Sequence, residues 1–176
     1  MGARAPCAPG CWLNARVEIR PPLPSEFDAV GDVAVAAYAG FYGPDLAGYE
    51  TPLRDIAGRM RAADVLVAVV DGVIVGTVTY VAEASSPFAE HQRDGEASIR
   101  MLAVLPAHSR HGIGRALSLA CIDRARAEGK RAVILHADEG MAASRALYEG
   151  LGFRRDPGRD YRPDRVTFLV AYVLEL

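Results

Sequence analysis

Three cysteines in 176 residues are too few and too unevenly placed to staple a fold. Cys7 and Cys11 stand in a leader rich in Pro, Gly and Ala, and Cys121 falls inside a helical pattern. Cys7 and Cys11 have no second ligand pair, which argues against zinc. The histidines, His91, His108, His111 and His136, show no metal-ligand spacing either, so no metal is expected. An excess of charge of one sign is also missing. Twenty Lys and Arg against 22 Asp and Glu leave −2, so the chain as a whole does not attract nucleic acid or acidic lipid. Any affinity for phosphates must come from a local site. No apolar run reaches the ~18 residues of a membrane span. Met1 to Leu13 carries no apolar segment of a secretory signal, and Pro6 stands where myristoylation wants Ser or Thr. The expectation is a cytoplasmic protein with a disordered extension over residues 1–14 and one domain over 15–176. What is present suits a packed core: 51% of residues are hydrophobic and 24% charged.

The clearest local signal is a hairpin. Val65–Val70 and Val73–Val81 are β-branched runs separated by Asp71-Gly72, a pair suited to the positive φ angles of a type I′ turn. Before it, Arg16–Arg20 alternates as a short strand. Ser25 reads as the cap of a helix with Phe27, Val30, Val33, Ala37 and Tyr38 on one stripe. Gly40–Gly48 reads as a loop, and Pro52–Ala63 as a second helix with Leu53, Ile56 and Met60 inward. After the hairpin, Ala82–Gly95 is polar and irregular, and Ser98–Leu105 is a strand ended by Pro106. Gly112–Glu128 is a helix stopped by Gly129. Ala132–Ala137 is a buried strand. Met141–Leu151 is a helix capped by Asp138 and stopped by Gly152. Val166–Leu174 is a last strand, with an extra strand near Phe153. Antiparallel strands followed by a parallel βαβ unit predict a mixed sheet.

The stretch Met101–Arg115, MLAVLPAHSRHGIGR, joins a strand to a helix through Arg110, His111 and Gly112. A helix N-terminus leaves N–H groups unpaired and carries partial positive charge, which together bind phosphate. Glycines allow the ligand to approach the backbone. Alone, the Gly112-Ile113-Gly114 pattern also fits an ordinary tight turn. Leu117 stands where a dinucleotide fingerprint needs a third glycine, and the Gly-Lys-Ser/Thr of a Walker loop is absent.

Over Ser98–Arg155 the sequence resembles the GNAT superfamily of acetyl-CoA-dependent N-acetyltransferases. MLAVLP matches the family's central strand, SRHGIGRAL its pyrophosphate loop and helix, and SRALYEGLGF its later helix, in the family's order and spacing. The hairpin also looks like the family's second and third strands. The first fifty residues match only in element order. Ser109 departs from the family's usual Gln or Arg, and Arg110 stands where glycine is common.

The resemblance implies an α/β (α+β) three-layer fold. Its central sheet is mixed and mostly antiparallel, with helices on both faces and a V-shaped splay between two parallel strands. It implies that the backbone of Leu102, Ala103 and Val104 pairs with the pantetheine arm of acetyl-CoA. Arg110, His111, Gly112, Ile113, Gly114 and Arg115 would hold the pyrophosphate. Tyr148 matches the tyrosine that protonates the departing thiolate; a packed core tyrosine would look the same. A lysine-type amine, with a pKa of about 10.4, is almost wholly charged at neutral pH, so a base is useful. His136 is the first candidate, because some members carry a catalytic carboxylate at its spacing from the tyrosine, and Glu96 is the rival. A structural histidine and a solvated strand-edge carboxylate are the alternatives. Tyr38, Phe41, Tyr42 and Tyr49 cluster where the family often walls its acceptor pocket.

The expected activity is acetyl transfer from acetyl-CoA to an amine by direct attack in a ternary complex, with a small-molecule acceptor first. A protein N-terminus or lysine is second, and a non-catalytic acyl-CoA-binding module is the reading from another class. A homodimer stays open. Thermal melts separate these cofactor readings, since a ligand that binds only the folded state raises its stability. Acetyl-CoA and coenzyme A at millimolar concentration are expected to raise the melting temperature. No shift with either contradicts the assignment, and a shift with NAD alone restores the dinucleotide reading.

Overall fold

The computed structural model describes residues 16–176 except Asp45, Ala47 and Val166. The N-terminal leader with Cys7 and Cys11 lies outside them. In chain order the elements are β1 (Val17–Arg20), α1 (Phe27–Tyr42), α2 (Glu50–Arg54), α3 (Ile56–Met60), β2 (Asp64–Val70) and β3 (Val73–Val81). They continue with β4 (Glu96–Val104), α4 (Ile113–Ala127), β5 (Ala132–Asp138), α5 (Ala142–Gly150), β6 (Arg154–Arg155) and β7 (Leu169–Glu175). The strands form one sheet in the order β1-β2-β3-β4-β5-β7-β6. Every neighbouring pair is antiparallel except β4 and β5. No helix among the described residues is long and apolar enough to cross a membrane.

The apolar runs of the hairpin follow from a sheet covered on both faces. Val65, Val67 and Val69 meet Val30 of α1 and Ile56 of α3 on one face. Leu66, Ala68 and Val70 meet Ile113, Leu117 and Cys121 of α4 on the other. Asp71 and Gly72 turn the hairpin with φ of 50° and 79°, as a type I′ turn requires.

The feature that creates a site lies between β4 and β5. Their pairing runs from Glu96↔Ala132 to Ile99↔Leu135. Beyond that point β5 stays on β7 as far as Asp138↔Leu169. β4 stays on β3, but its register shifts between Thr79↔Arg100 and Thr77↔Ala103, and Met101 takes a φ of 50°. This is a β-bulge, and a bulge bends the strand that carries it. The two parallel strands therefore diverge into a V.

Several local expectations change. Ser25 does not cap α1. It sits in a short 3-10 turn, Pro24–Glu26, in which the Glu26 carboxylate accepts from the Leu23 amide at 2.7 Å and is paired with Arg20. The helix expected over Pro52–Ala63 is two, because Asp55 leaves helical geometry and accepts from the Gly58 amide at 2.7 Å. Met60 is 36% exposed, and Arg59 points inward instead, donating to Thr79 Oγ1 and the Leu53 carbonyl. The central strand begins at Glu96, two residues before Ser98. Asp138 ends β5 rather than capping α5; its side chain accepts from the Gly140 amide, and Met141 holds the cap position. The last strand starts at Leu169, and the extra strand is β6.

Gly76 lets α4 sit close on β3. A Cβ there would lie 3.1 Å from the Ala103 carbonyl oxygen, Ile113 Cγ2 and Leu117 Cδ1. Gly76→Val is expected to destabilise the fold by about 1–3 kcal/mol through overpacking, read from urea unfolding midpoints. A change within about 0.5 kcal/mol, the range of neutral surface substitutions, would show that the helix is not so closely seated.

Candidate active site

Two cavities occupy the V. The first, of about 670 Å³, lies over the end of β4, with the start of α4, the loop before α5 and the end of α1 around it. Leu102, Ala103, Val104, Arg110, Gly112, Gly114 and Arg115 line it, together with Phe41 and Leu147. Of the donor-site residues expected from the sequence, His111 and Ile113 do not line it. His111 is exposed, and the Ile113 side chain is buried in the core beneath α4.

The turn into α4 leaves backbone amides open at the helix start. Arg110 and Gly112 have φ of 67° and 79°, so two residues close together are left-handed. At Arg110 that conformation costs roughly 1–2 kcal/mol for a residue with a Cβ, which accounts physically for glycine being the easier choice there. The helix ladder opens with the Ala116 amide donating to the Gly112 carbonyl at 2.9 Å. The amides of Ile113, Gly114 and Arg115 then have no acceptor within the helix. An ideal Cβ on Gly114 would face Leu147, Val104 and Leu102 at 3.4, 3.8 and 3.9 Å, toward the cavity wall. The Ser109 hydroxyl turns back toward the Leu105 carbonyl at 3.5 Å.

The second cavity, of about 730 Å³, shares Tyr38, Leu102, Met141 and Ser144 with the first. Tyr148 and His136 both line it. The aromatic cluster expected from the sequence divides between the two. Phe41 borders the first cavity, Tyr42 and Tyr49 border the second, and Tyr38 borders both. Tyr38 stacks on Tyr42 at 6.1 Å and lies 5.8 Å from Tyr49.

Tyr148 is 6% exposed and packs edge-on against Phe153. Burial, with Cys121 as a lesser contributor, raises its pKa well above the usual value. The phenol therefore keeps its proton at neutral pH. His136 is half-buried, with Nε2 3.0 Å from the Arg159 carbonyl oxygen. A carbonyl only accepts, so Nε2 carries the proton and Nδ1 keeps the lone pair. Burial lowers the pKa of His136, and the Arg159 carbonyl and the Glu90 charge only partly oppose it. The ring is thus neutral at pH 7.

Glu96 stands apart. It lines neither cavity, and at 1% exposure it is not a solvated edge carboxylate. It accepts from Arg159 at 2.7 and 3.1 Å, from Arg131 at 2.8 Å and from the Arg93 amide at 2.9 Å. Burial pushes its pKa up, but Arg159, the Arg93 amide and Arg131 outweigh that and hold it below the usual value. Its lone pairs are committed to two guanidinium groups and one backbone amide, which leaves none for an amine proton.

The second cavity also contains residues the sequence reading missed. Glu90 and Arg100 form an ion pair there, Asp138 accepts from the Tyr42 hydroxyl at 3.1 Å, and Tyr161 packs edge-on against His136. Asp164 lies on the same wall. Only Asp138 had a local signal, and its pattern pointed to a helix cap. Arg100 lies on β4, and Glu90, Tyr161 and Asp164 come from segments between the strands that meet only in the folded chain.

The sequence profile of the Acetyltransferase (GNAT) family matches residues 29–153. A mycothiol acetyltransferase of Renibacterium salmoninarum is 30% identical over 152 residues, covering 84% of this chain and 43% of that protein. The chain spans less than half the length of the curated relatives it matches. Among solved structures, a ribosomal-protein-alanine N-acetyltransferase from Brucella melitensis superposes with a TM-score of 0.67 at 23% identity, covering 90% of this chain and 99% of that one. The PaiA N-acetyltransferase of Thermoplasma acidophilum, solved in complex with coenzyme A, has a TM-score of 0.70 at 16% identity, covering 89% and 98%.

Gly114→Asp would place a carboxylate in the first cavity beside the open amides of α4. The variant is expected to fold and to lose affinity for coenzyme A by at least tenfold, read by calorimetric titration. An unchanged affinity in a folded variant would show that the turn is not the phosphate site.

Proposed function

This chain belongs to the GNAT family of acetyltransferases, and we propose that it moves an acetyl group from acetyl-CoA to the amine of a small molecule, by direct attack in a ternary complex. The observation that carries this reading is the meeting of the two cavities in the V at Leu102, with the phosphate-type turn on one side and Tyr148 and His136 on the other. The transferase unit of this proposal is residues 15–176, and its compartment is the cytoplasm.

On the donor side, the turn from Arg110 to Arg115 holds the pyrophosphate with its amides and two guanidinium groups. His111 and Ile113 contribute backbone rather than lining side chains. The unpaired inner edge of β4 at Leu102, Ala103 and Val104 takes the pantetheine arm as an added strand. An N–H of that edge polarises the thioester carbonyl and steadies the oxyanion.

On the acceptor side, Nδ1 of His136 accepts a proton from the ammonium form of the acceptor, directly or through one water, which frees the nitrogen lone pair. That lone pair attacks the carbonyl carbon, the carbon–sulfur bond breaks as Tyr148 gives its proton to the leaving sulfur, and the surplus proton on the new amide nitrogen passes to the tyrosinate and restores it. Glu96 serves as an ion-paired carboxylate and not as the base. A cavity of about 730 Å³ walled by tyrosines has the size of a small-molecule pocket. Glu90, Asp138 and Asp164 against Arg100 leave it acidic, which draws in an ammonium ion. The relatives named mycothiol acetyltransferase favour a small acceptor too.

Tyr148→Phe tests the acid. Turnover is expected to fall on the order of a hundredfold, with coenzyme A affinity and melting temperature nearly unchanged because the ring remains. A loss under threefold, with an acceptor whose chemistry limits the rate, removes the role.

A further inference from the structure

We infer that Glu96 and Arg159 are positioning residues that act on the acetyl transfer by fixing the tautomer of His136. The inference rests on the reading of His136 as the base. A neutral imidazole can carry its proton on either nitrogen, and only the bare one can accept a proton. Here the choice is made by one acceptor, the carbonyl oxygen of Arg159, 3.0 Å from Nε2.

That carbonyl is pinned from both sides. Upstream, Arg159 is 8% exposed, and its side chain grips the Glu96 carboxylate in a two-pronged contact, with Asp156 3.0 Å from its Nε. Such paired contacts fix direction as well as distance. Downstream, the Asp160 carboxylate accepts from Arg155 at 2.8 Å and from the Ala171 amide at 2.8 Å. The peptide unit between residues 159 and 160 is therefore held by the side chains of both residues it joins. The turn's own backbone adds to this, with the Arg159 amide donating to the Asp156 carbonyl at 3.0 Å and the Asp160 amide to the Pro157 carbonyl at 3.3 Å, while Pro157 and Gly158 are exposed.

Glu96 is the first residue of β4, and His136 follows the last β5 residue paired with β4. The ion pair thus carries the position of the closed end of the V to the ring at its opening. Removing the Glu96 charge would leave a buried guanidinium with Asp156 as its one ion-pair partner and Glu175 acting only through space. Arg159 would turn toward water, and its carbonyl would leave Nε2. The other groups facing the ring are Glu90 and His91 of the polar loop, Arg100 of β4, and Asp160 and Tyr161 after the turn. None of them replaces a fixed carbonyl acceptor at Nε2.

The test reads the tautomer directly, from long-range proton–nitrogen spectra of the histidine rings at a pH above their titration. Wild-type His136 is expected as the Nε2–H form. Glu96→Gln is expected to shift it toward a mixture, and to lower kcat about tenfold with KM for acetyl-CoA unchanged. In a His136→Gln background the same Glu96→Gln change is expected to alter kcat less than twofold, since it acts through a ring no longer there. An Nδ1–H wild-type ring, an unshifted spectrum in folded Glu96→Gln, or additive losses in the double variant each overturns the inference. If Glu96→Gln does not fold, Arg159→Lys takes its place in the same spectra, and the wild-type spectrum still decides. Full activity of His136→Gln would instead remove the base reading, while the spectra continue to judge the positioning.

Discussion

β4 and β5 stop hydrogen-bonding to each other after Ile99 and Leu135, and the rest of the site depends on that loss. A backbone edge buried without partners is costly, so the wedge is stable only if each strand is held from its outer side and solvent or ligand fills the gap. β3 holds β4 through the bulge at Met101, and β7 holds β5 to its end. At the closed end, Glu96 with Arg159 and Arg131 ties the start of β4 to the segments beside it. The fold thus leaves a strand edge open where an amide-bearing ligand arm can complete it.

Charge is arranged by position and not by amount. The chain carries −2 overall, yet Arg110, Arg115 and the start of α4 face one cavity, while Glu90, Asp138 and Asp164 line the other. Cations thus face one cavity and carboxylates outnumber Arg100 in the other, and the two meet at Leu102 of β4. Tyr148 and His136 both border the second cavity, with opposite tendencies. Burial keeps the phenol protonated and the imidazole neutral, the states that an acid and a base need before reaction.

What the sequence made legible was whatever local chemistry decides. Asp71-Gly72 between β-branched runs specifies its own turn, and Gly112 before α4 marks another. The family motifs placed β4, α4 and α5 in the right order. The misreadings share a cause. Asp55 competes with the backbone for the Gly58 amide and splits one helical pattern into two, and periodicity does not register that competition. Glu96 reads as a free carboxylate because Arg159, its main partner, is distant in sequence and comes to it only through the sheet. Glu90, Asp164 and Tyr161 belong to loops without periodicity, and only the packing of those loops makes them one wall. Arg110 could be seen as unusual, but its left-handed backbone could not.

The open edge of β4 as the donor's seat is tested most directly by a crystal structure of the complex with coenzyme A. The predicted result places pantetheine amides about 2.9–3.0 Å from backbone groups of Leu102 to Val104, with the pyrophosphate over the amides of Ile113, Gly114 and Arg115. Coenzyme A bound elsewhere, with β4 and β5 still open to solvent between them, would contradict it.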